Sequence, residues 1–196
     1  MQLILASNSP RRQAILTRIG IRISELADPG LDEQLIQGEP AHKAVMRLAR
    51  MKAESVQSRY PQSAILAGDT LVALGRRIFG KPNNVAEART MLAALSGRSH
   101  RVYGAISLIT PNGKVFTRSS ESRILFKRLH PDEIEAYIRA NEWQGRAGAC
   151  AIDGQGACFI KKIIGCPSNV EGMSIHILYQ MLIGAGLSEL ISWRQA

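Results

Sequence analysis

Gln2-Leu3-Ile4-Leu5-Ala6-Ser7-Asn8-Ser9-Pro10-Arg11-Arg12 changes character halfway along, and the change sets how the rest of the chain is read. Gln2 to Ala6 is an apolar run of strand length. After the polar turn, Ala14, Ile15, Leu16 and Ile19 recur at helical spacing until Gly20. The stretch is therefore the turn between a first strand and a first helix. Ser9 stands at the N-cap position and Pro10 at the first helical position, where its missing N–H donor has no intrahelical partner to lose. Arg11 and Arg12 then fall in the first helical turn, facing the positive end of the helix dipole, a placement that an anion would offset. Two arginines, free backbone N–H groups and the hydroxyls of Ser7 and Ser9 make a candidate phosphate site. The alternative is a solvated basic helix start.

At 196 residues the chain suits one domain, residues 1–196, with room for two lobes and a real core. Its 25 Lys and Arg against 16 Asp and Glu give a formal charge of +9, which suits a polyanionic partner without choosing among nucleotide, nucleic acid and membrane surface. Aromatic residues are only 5%, which argues against a stacking platform for single strands, so no nucleic acid is expected as partner. No run reaches membrane-spanning length, and the arginine pair follows rather than precedes the first apolar stretch, the reverse of a secretory signal. Cys150, Cys158 and Cys166 lie eight residues apart, a spacing that matches neither a disulfide framework nor a zinc site. A reduced, cytoplasmic protein with no membrane association is the expectation.

Further along, Ile21 to Leu26 reads as a second strand. Asp28-Pro29-Gly30-Leu31-Asp32-Glu33 reads as an acidic loop, either a plain linker or a source of oxygen ligands for a divalent ion. A helix from Pro40 to about Ser58 carries Val45, Leu48, Ala49 and Val56 on one stripe, with Lys52 in the same stripe. That lysine either snorkels to solvent or points into a cleft. Replacing it with methionine is expected to leave stability unchanged or slightly higher. Ser63 to Ala67 reads as a buried strand ending at Gly68-Asp69-Thr70, a carboxylate where open α/β sheets place their chemistry, beside a glycine that would let a ligand approach. Leu71–Leu74 and Arg77–Phe79 flank Gly75-Arg76 as a hairpin, followed by Gly80-Lys81-Pro82, where proline holds Lys81 extended. Lys81 reads equally well as surface charge.

Asn84 caps a helix whose expected inner face is Val85, Ala88, Met91, Leu92 and Leu95. Ser99–Ile109 and Lys114–Lys127, joined by Pro111-Asn112-Gly113, read as a long antiparallel pair, with His100 a satisfied structural histidine. Pro131 opens another helix. Arg146–Ile152 and Cys158–Ile160 read as the arms of a glycine-rich hairpin around Asp153-Gly154-Gln155-Gly156. A last helix follows Asn169-Val170-Glu171-Gly172, and the tail from Gly184 to Ala196 carries no recognisable chemistry. There is no Walker sequence and no dinucleotide fingerprint, so the phosphate site is not a P-loop.

Taken together, Leu5 to Arg12, Asp32-Glu33, Lys52-Ala53, Gly68-Asp69-Thr70, Gly80-Lys81-Pro82, Leu95 to Val102, Ala147-Gly148-Ala149 and Asn169 to Gly172 resemble, in order and spacing, the Maf family of nucleoside triphosphate pyrophosphatases, within the wider inosine triphosphate pyrophosphatase-like superfamily. The resemblance implies a mixed α/β fold, a twisted central sheet flanked by helices with two lobes around a cleft. It implies hydrolysis of nucleoside triphosphates to monophosphate and pyrophosphate with a divalent cation, Mg²⁺ or Mn²⁺, dTTP and UTP among the substrates, and it leaves a homodimer open. By position, Asp69 resembles the proton acceptor. Ser9, Arg11, Arg12, Lys52 and Lys81 resemble the triphosphate cradle, with Ser7 beside them as a substrate-binding hydroxyl. Glu33, with Asp69, is the expected metal pair. Arg12, Thr70 and Asp153 occupy the positions that separate substrate classes; Arg12 and Thr70 fit the thymidine and uridine class, whereas Asp153 and Cys150 depart from it. The competing reading is a non-enzymatic basic regulator of septum formation that binds nucleic acid or protein.

Overall fold

The computed structural model describes residues 1–194; the last two positions of the tail, Gln195 and Ala196, lie outside the described residues. Leu3–Ala6 (β1) is buried at all four positions, as a strand covered on both faces must be. Pro10–Arg18 (α1) follows with Ser9 as N-cap. The helix ends where Gly20 takes a positive φ of 68° and the Ile21 N–H donates to the Leu16 carbonyl at 2.9 Å, a closure that turns Ile21 into the core. This accounts for a correction. The second strand is not Ile21–Leu26 but Glu25–Ala27 (β2), because Ile21 closes the helix and bridges Ile191 of the tail.

Ala41–Gln57 (α2) precedes Ala64–Leu74 (β3), and Arg77–Phe79 (β4) turns back on β3 around Gly75. Val85–Leu95 (α3), capped by the Asn84 side chain, leads into the long pair Ser99–Ile109 (β5) and Val115–Phe126 (β6). Val85 is 40% exposed and does not share the buried face of Ala88, Leu92 and Leu95. Pro131–Ala140 (α4), Ile160–Ile164 (β7), Pro167–Glu171 (α5) and Ile175–Gly184 (α6) complete the order. The sheet is mixed, ordered β2-β1-β3-β5-β6-β7 with β4 beside β3; β1 runs parallel to β2 and β3, and the remaining pairs are antiparallel.

Two register facts create the site. Strand β3 does not stop at Ala67 as the sequence suggests; it runs through Gly68, Asp69 and Thr70 to Leu74 and changes neighbour on the way. On one edge, β1 pairs with it through Ala67 and β4 only from Val72, so residues 68–71 face a gap. One sheet face also changes its cover there. Leu66 and Ile106 pack in the core beneath α1 and α6, whereas Val72 and Val102 pack with α3 and α4. The opposite face is covered by α2, whose Leu48 and Ala49 pack with Leu71 and Ala105. A cleft opens at this seam.

The expected hairpin at 146–160 is absent. Short 3₁₀ turns replace it at Ala147–Ala149 and Gln155–Phe159, and Ile160–Ile164 pairs with β6 instead. Gly148 and Ala149 hold positive φ values of 67° and 59°, which no strand tolerates. Gly148 is pressed onto Val72, where an added Cβ would stand 3.1 Å from the valine, so the turn is shaped by tertiary packing.

Candidate active site

A cavity of about 840 Å³ occupies the seam. Ser7, Ser9, Arg11, Arg12, Glu33, Lys52, Asp69, Thr70 and Lys81 all line it; Asp153 does not.

Asp69 lies on the α2 face of β3, and Lys52 is the residue of α2 that meets it. Lys52 Nζ donates to Asp69 Oδ1 at 2.6 Å, and both side chains are 6% exposed. The cleft alternative for Lys52 is therefore the one realised. The same ammonium lies 2.8 Å from Glu33 Oε1 on the acidic loop, so one cation ties two carboxylates from distant parts of the chain. Burial raises the Glu33 carboxyl, but the Lys52 hydrogen bond and the charges of Lys52, Lys81 and Arg12 outweigh it and hold the group below its usual range. Asp28 and Asp32, from the same loop, form no cluster with them; among the described residues no group of three His, Cys, Asp or Glu side chains could hold an ion by itself.

Arg12 reaches across the seam from α1. Its Nη1 donates to Ser7 Oγ at 3.1 Å, Nη2 to Thr70 Oγ1 at 3.4 Å and Nε to the Gly172 carbonyl at 3.1 Å. Burial pushes its pKa down, against the raising effect of Asp69 and Glu33. In this state the guanidinium is a buried tie between α1, β3 and the turn after α5. Gly68 explains how it fits: an added Cβ would sit 3.2 Å from Arg12 Nε. The glycine beside Asp69 thus makes room for a protein side chain rather than for a ligand. The Gly172 carbonyl, which also accepts from Thr70 Oγ1, is positioned through Asn169. Asn169 is fully buried, donates to the Val102 carbonyl and Ser122 Oγ, and accepts from Ser120 Oγ; Gly104 has no Cβ because Asn169 Oδ1 would lie 2.0 Å from it. Sequence reading found the Asn169–Gly172 stretch but gave it no role. Only the pairing of Gly104 with Thr70 across β5 and β3 reveals one.

Arg11 is less committed. Its Nη2 donates to the Gly145 carbonyl at 3.0 Å, and burial together with neighbouring Arg146 lowers its pKa to about 10, which marks a cation short of counter-charge. Lys81 is exposed on the rim, where its charge reaches Glu33. Asp153 is exposed and pairs with Arg146 at 2.7 Å. The site is thus a buried carboxylate held by one lysine, flanked by arginines and a rim lysine, under a helix N-terminus. Such an arrangement has the charge to bind a polyanion beside a buried carboxylate.

His100 departs from its expected role. It is 5% exposed and packs edge-on against Phe126, but its Nδ1 is buried with no hydrogen-bond partner among the described residues, and it lines the cavity.

A family model described as Maf-like protein matches residues 2–185. The chain is 40% identical over 201 residues to a protein of Mesorhizobium japonicum named dTTP/UTP pyrophosphatase, covering 100% of this chain and 97% of that one. It is 44% identical over 185 residues to a Rhodospirillum rubrum protein of the same name, covering 94% and 88%. Among solved structures it is similar to a nucleoside-triphosphatase / dITP/XTP pyrophosphatase of Mycobacterium abscessus, with a TM-score of 0.44 and 20% identity over 66% of this chain and 76% of that one. With a family model spanning nearly its whole length and relatives of about this identity along all of it, the chain belongs to the Maf-like protein family.

Proposed function

We propose that this chain is a nucleoside triphosphate pyrophosphatase that cleaves between the α and β phosphates and releases monophosphate and pyrophosphate, with dTTP and UTP among its substrates. One observation carries the reading: a buried carboxylate, Asp69, is kept in the same cavity as Arg11, Arg12, Lys52 and Lys81. A plain polyanion-binding surface gains nothing from a buried anion, whereas hydrolysis at phosphorus requires a base. Asp69 accepts the proton of the attacking water, and Lys52 holds its carboxylate in place. Arg11, Ser9 and Lys81 take the phosphate oxygens, and Lys81 on the rim suits the leaving pyrophosphate. Arg12 acts mainly by fixing Ser7 and Thr70, since its donors are already engaged.

The donor set also fits a divalent cation. Asp69 and Glu33 offer hard oxygens that both lie within 3 Å of the Lys52 ammonium, and a magnesium-type ion is commonly held by one or two carboxylates together with substrate phosphates. Bound there, Mg²⁺ or Mn²⁺ supplies counter-charge to the phosphate oxygens. A cytoplasmic location and a homodimer belong to the same proposal. Among the described residues, no helix is long and apolar enough to cross a membrane. The test is a nucleotide panel with Mg²⁺ or Mn²⁺ in which pyrophosphate and orthophosphate are read separately. Pyrophosphate in step with UTP and dTTP consumption supports the reading, and orthophosphate alone overturns it.

A further inference from the structure

The acidic loop reaches the site with little apolar packing to hold it there. Between β2 and α2, residues 28–40 form no helix or strand, and Leu35 and Ile36 face solvent, 41% and 58% exposed. Gly30 and Gly38 bracket the segment in left-handed backbone, with φ of 58° and 81° and open space where a Cβ would stand. A segment with so few buried contacts moves unless polar ties fix it. Yet Glu33, in its middle, is set 2.8 Å from the Lys52 ammonium.

At the start of the loop the tie is Arg59, whose Nη2 donates to the Asp28 carbonyl at 2.6 Å. At its other end stands Arg47 of α2. Its Nε donates to Glu39 Oε1 at 3.0 Å and its Nη2 to Glu39 Oε2 at 2.6 Å. The same Nη2 donates to the carbonyl of Gln34, the residue next to Glu33, at 3.2 Å. Nη1 lies 3.5 Å from Met51 Sδ, one turn along the helix, which orients the fork. The bonds from Arg47 hold the Glu39 carboxyl below its usual range. One planar guanidinium thus joins the end of the loop, the peptide beside Glu33 and the helix that carries Lys52.

We infer that Arg47 is a positioning residue for the reaction: by gripping Glu39 and Gln34 together, it keeps Glu33 in the cavity beside Lys52. The inference rests on the pyrophosphatase reading for what Glu33 does there, not for the grip itself. A lysine cannot take over this role, because an ammonium keeps the charge but has no fork to bracket a carboxylate and reach a carbonyl at once. Asp69 also lies within reach of the Arg47 charge. An arginine acting through that charge alone would be replaced by lysine without loss, so Arg47→Lys separates position from charge.

Two measurements on the whole chain test this. In ¹⁵N relaxation, the backbone order parameters of Gln34 and Leu35 should fall in Arg47→Lys from about 0.85, the rigid range, to below ~0.6, with those of α2 unchanged. With UTP and Mg²⁺, Arg47→Lys should lower kcat/KM at least ~10-fold, in whichever of kcat and KM Glu33→Gln also changes, and the two substitutions together should do no more harm than Glu33→Gln alone. Glu39→Gln loosens the grip from the loop side and should act in the same direction, less strongly. A loop that stays rigid in Arg47→Lys, or a variant that turns over UTP as the wild type does, overturns the inference. So does damage that adds in full to that of Glu33→Gln, the mark of a merely structural role. If the loop loosens but even the wild type cleaves no nucleotide, the grip stands and the hydrolase reading falls.

Discussion

The two ends of the cavity are built on opposite principles. At the phosphate end the most deeply buried charges are tied to protein partners: Lys52 holds Asp69 and Glu33, and Arg12 spends its donors on Ser7, Thr70 and Gly172, while Arg11 is left short of counter-charge. At the far end, lined by Val72, Val102, Ile124 and Phe126, the walls are apolar, the backbone of Gly148 and Ala149 is left-handed, and the buried imidazole of His100 has an Nδ1 without a hydrogen-bond partner among the described residues. Charges in a low-dielectric site must be paired before substrate arrives, or they would neutralise or destabilise the fold. A single neutral nitrogen can be left unpaired at tolerable cost. The comparison teaches that one end is held by charges tied to protein partners and the other by apolar packing.

The sharpest way to break the contrast is to remove the base. Asp69→Asn is expected to keep the fold and bind nucleotide while losing at least ~10²-fold in kcat, the scale of a positioned proton acceptor. Single-turnover rates with UTP check this, and near-normal rates would reassign the base.

That this end could be found in advance follows from its construction. Ser7 to Arg12 is local in sequence, Lys52 betrays itself by sitting in an apolar helical stripe, and Asp69 follows a strand-like run. The far end was not legible for the reverse reason. Ala147–Ala149 looks like a strand until Gly148 is seen packed on Val72, and His100 becomes informative only once its nitrogen is known to lack a partner. Neither fact has a local signature. The role of Gly104 in admitting Asn169 is likewise a matter of strand register, which no single segment encodes.

The far end makes its own prediction through pH. The folded pKa of His100 is depressed from 6.5 to about 4, so its contribution to stability is fully present above pH ~6.5 and is lost as pH falls from there toward 4. At roughly 1.4 kcal/mol per pKa unit, this amounts to roughly 3–3.5 kcal/mol in full. His100→Phe should therefore lose less stability than wild type between pH 6.5 and 4. Urea unfolding of both proteins across that range measures the difference, and parallel curves would contradict the burial argument.

Lys52→Met tests the phosphate end as structure rather than as chemistry. From sequence the substitution looks neutral or mildly stabilising. With two carboxylates on the ammonium, it instead leaves buried Asp69 without its counter-charge and should cost about 1–2 kcal/mol, less than a fully enclosed pair because the cavity admits water. Thermal and urea unfolding at pH 7 decide between the two expectations; a rise in stability would mean the ion pair is not formed.

The smallest effect is expected from Asp153→Gln. An exposed ion pair with Arg146 outside the cavity lining contributes little, so the kcat/KM ratios for UTP, dTTP, CTP and GTP should move by no more than ~2–3-fold. A tenfold sharpening toward pyrimidines would instead place Asp153 at the base, as its position in the family pattern suggests.

The central claim is that water attacks the α phosphorus under the control of Asp69. Turnover of UTP in ¹⁸O-enriched water, followed by mass analysis of both products, tests it directly. The account predicts the label in the monophosphate and unlabelled pyrophosphate. Label in pyrophosphate, or in released orthophosphate, would place the attack on another phosphorus and contradict it.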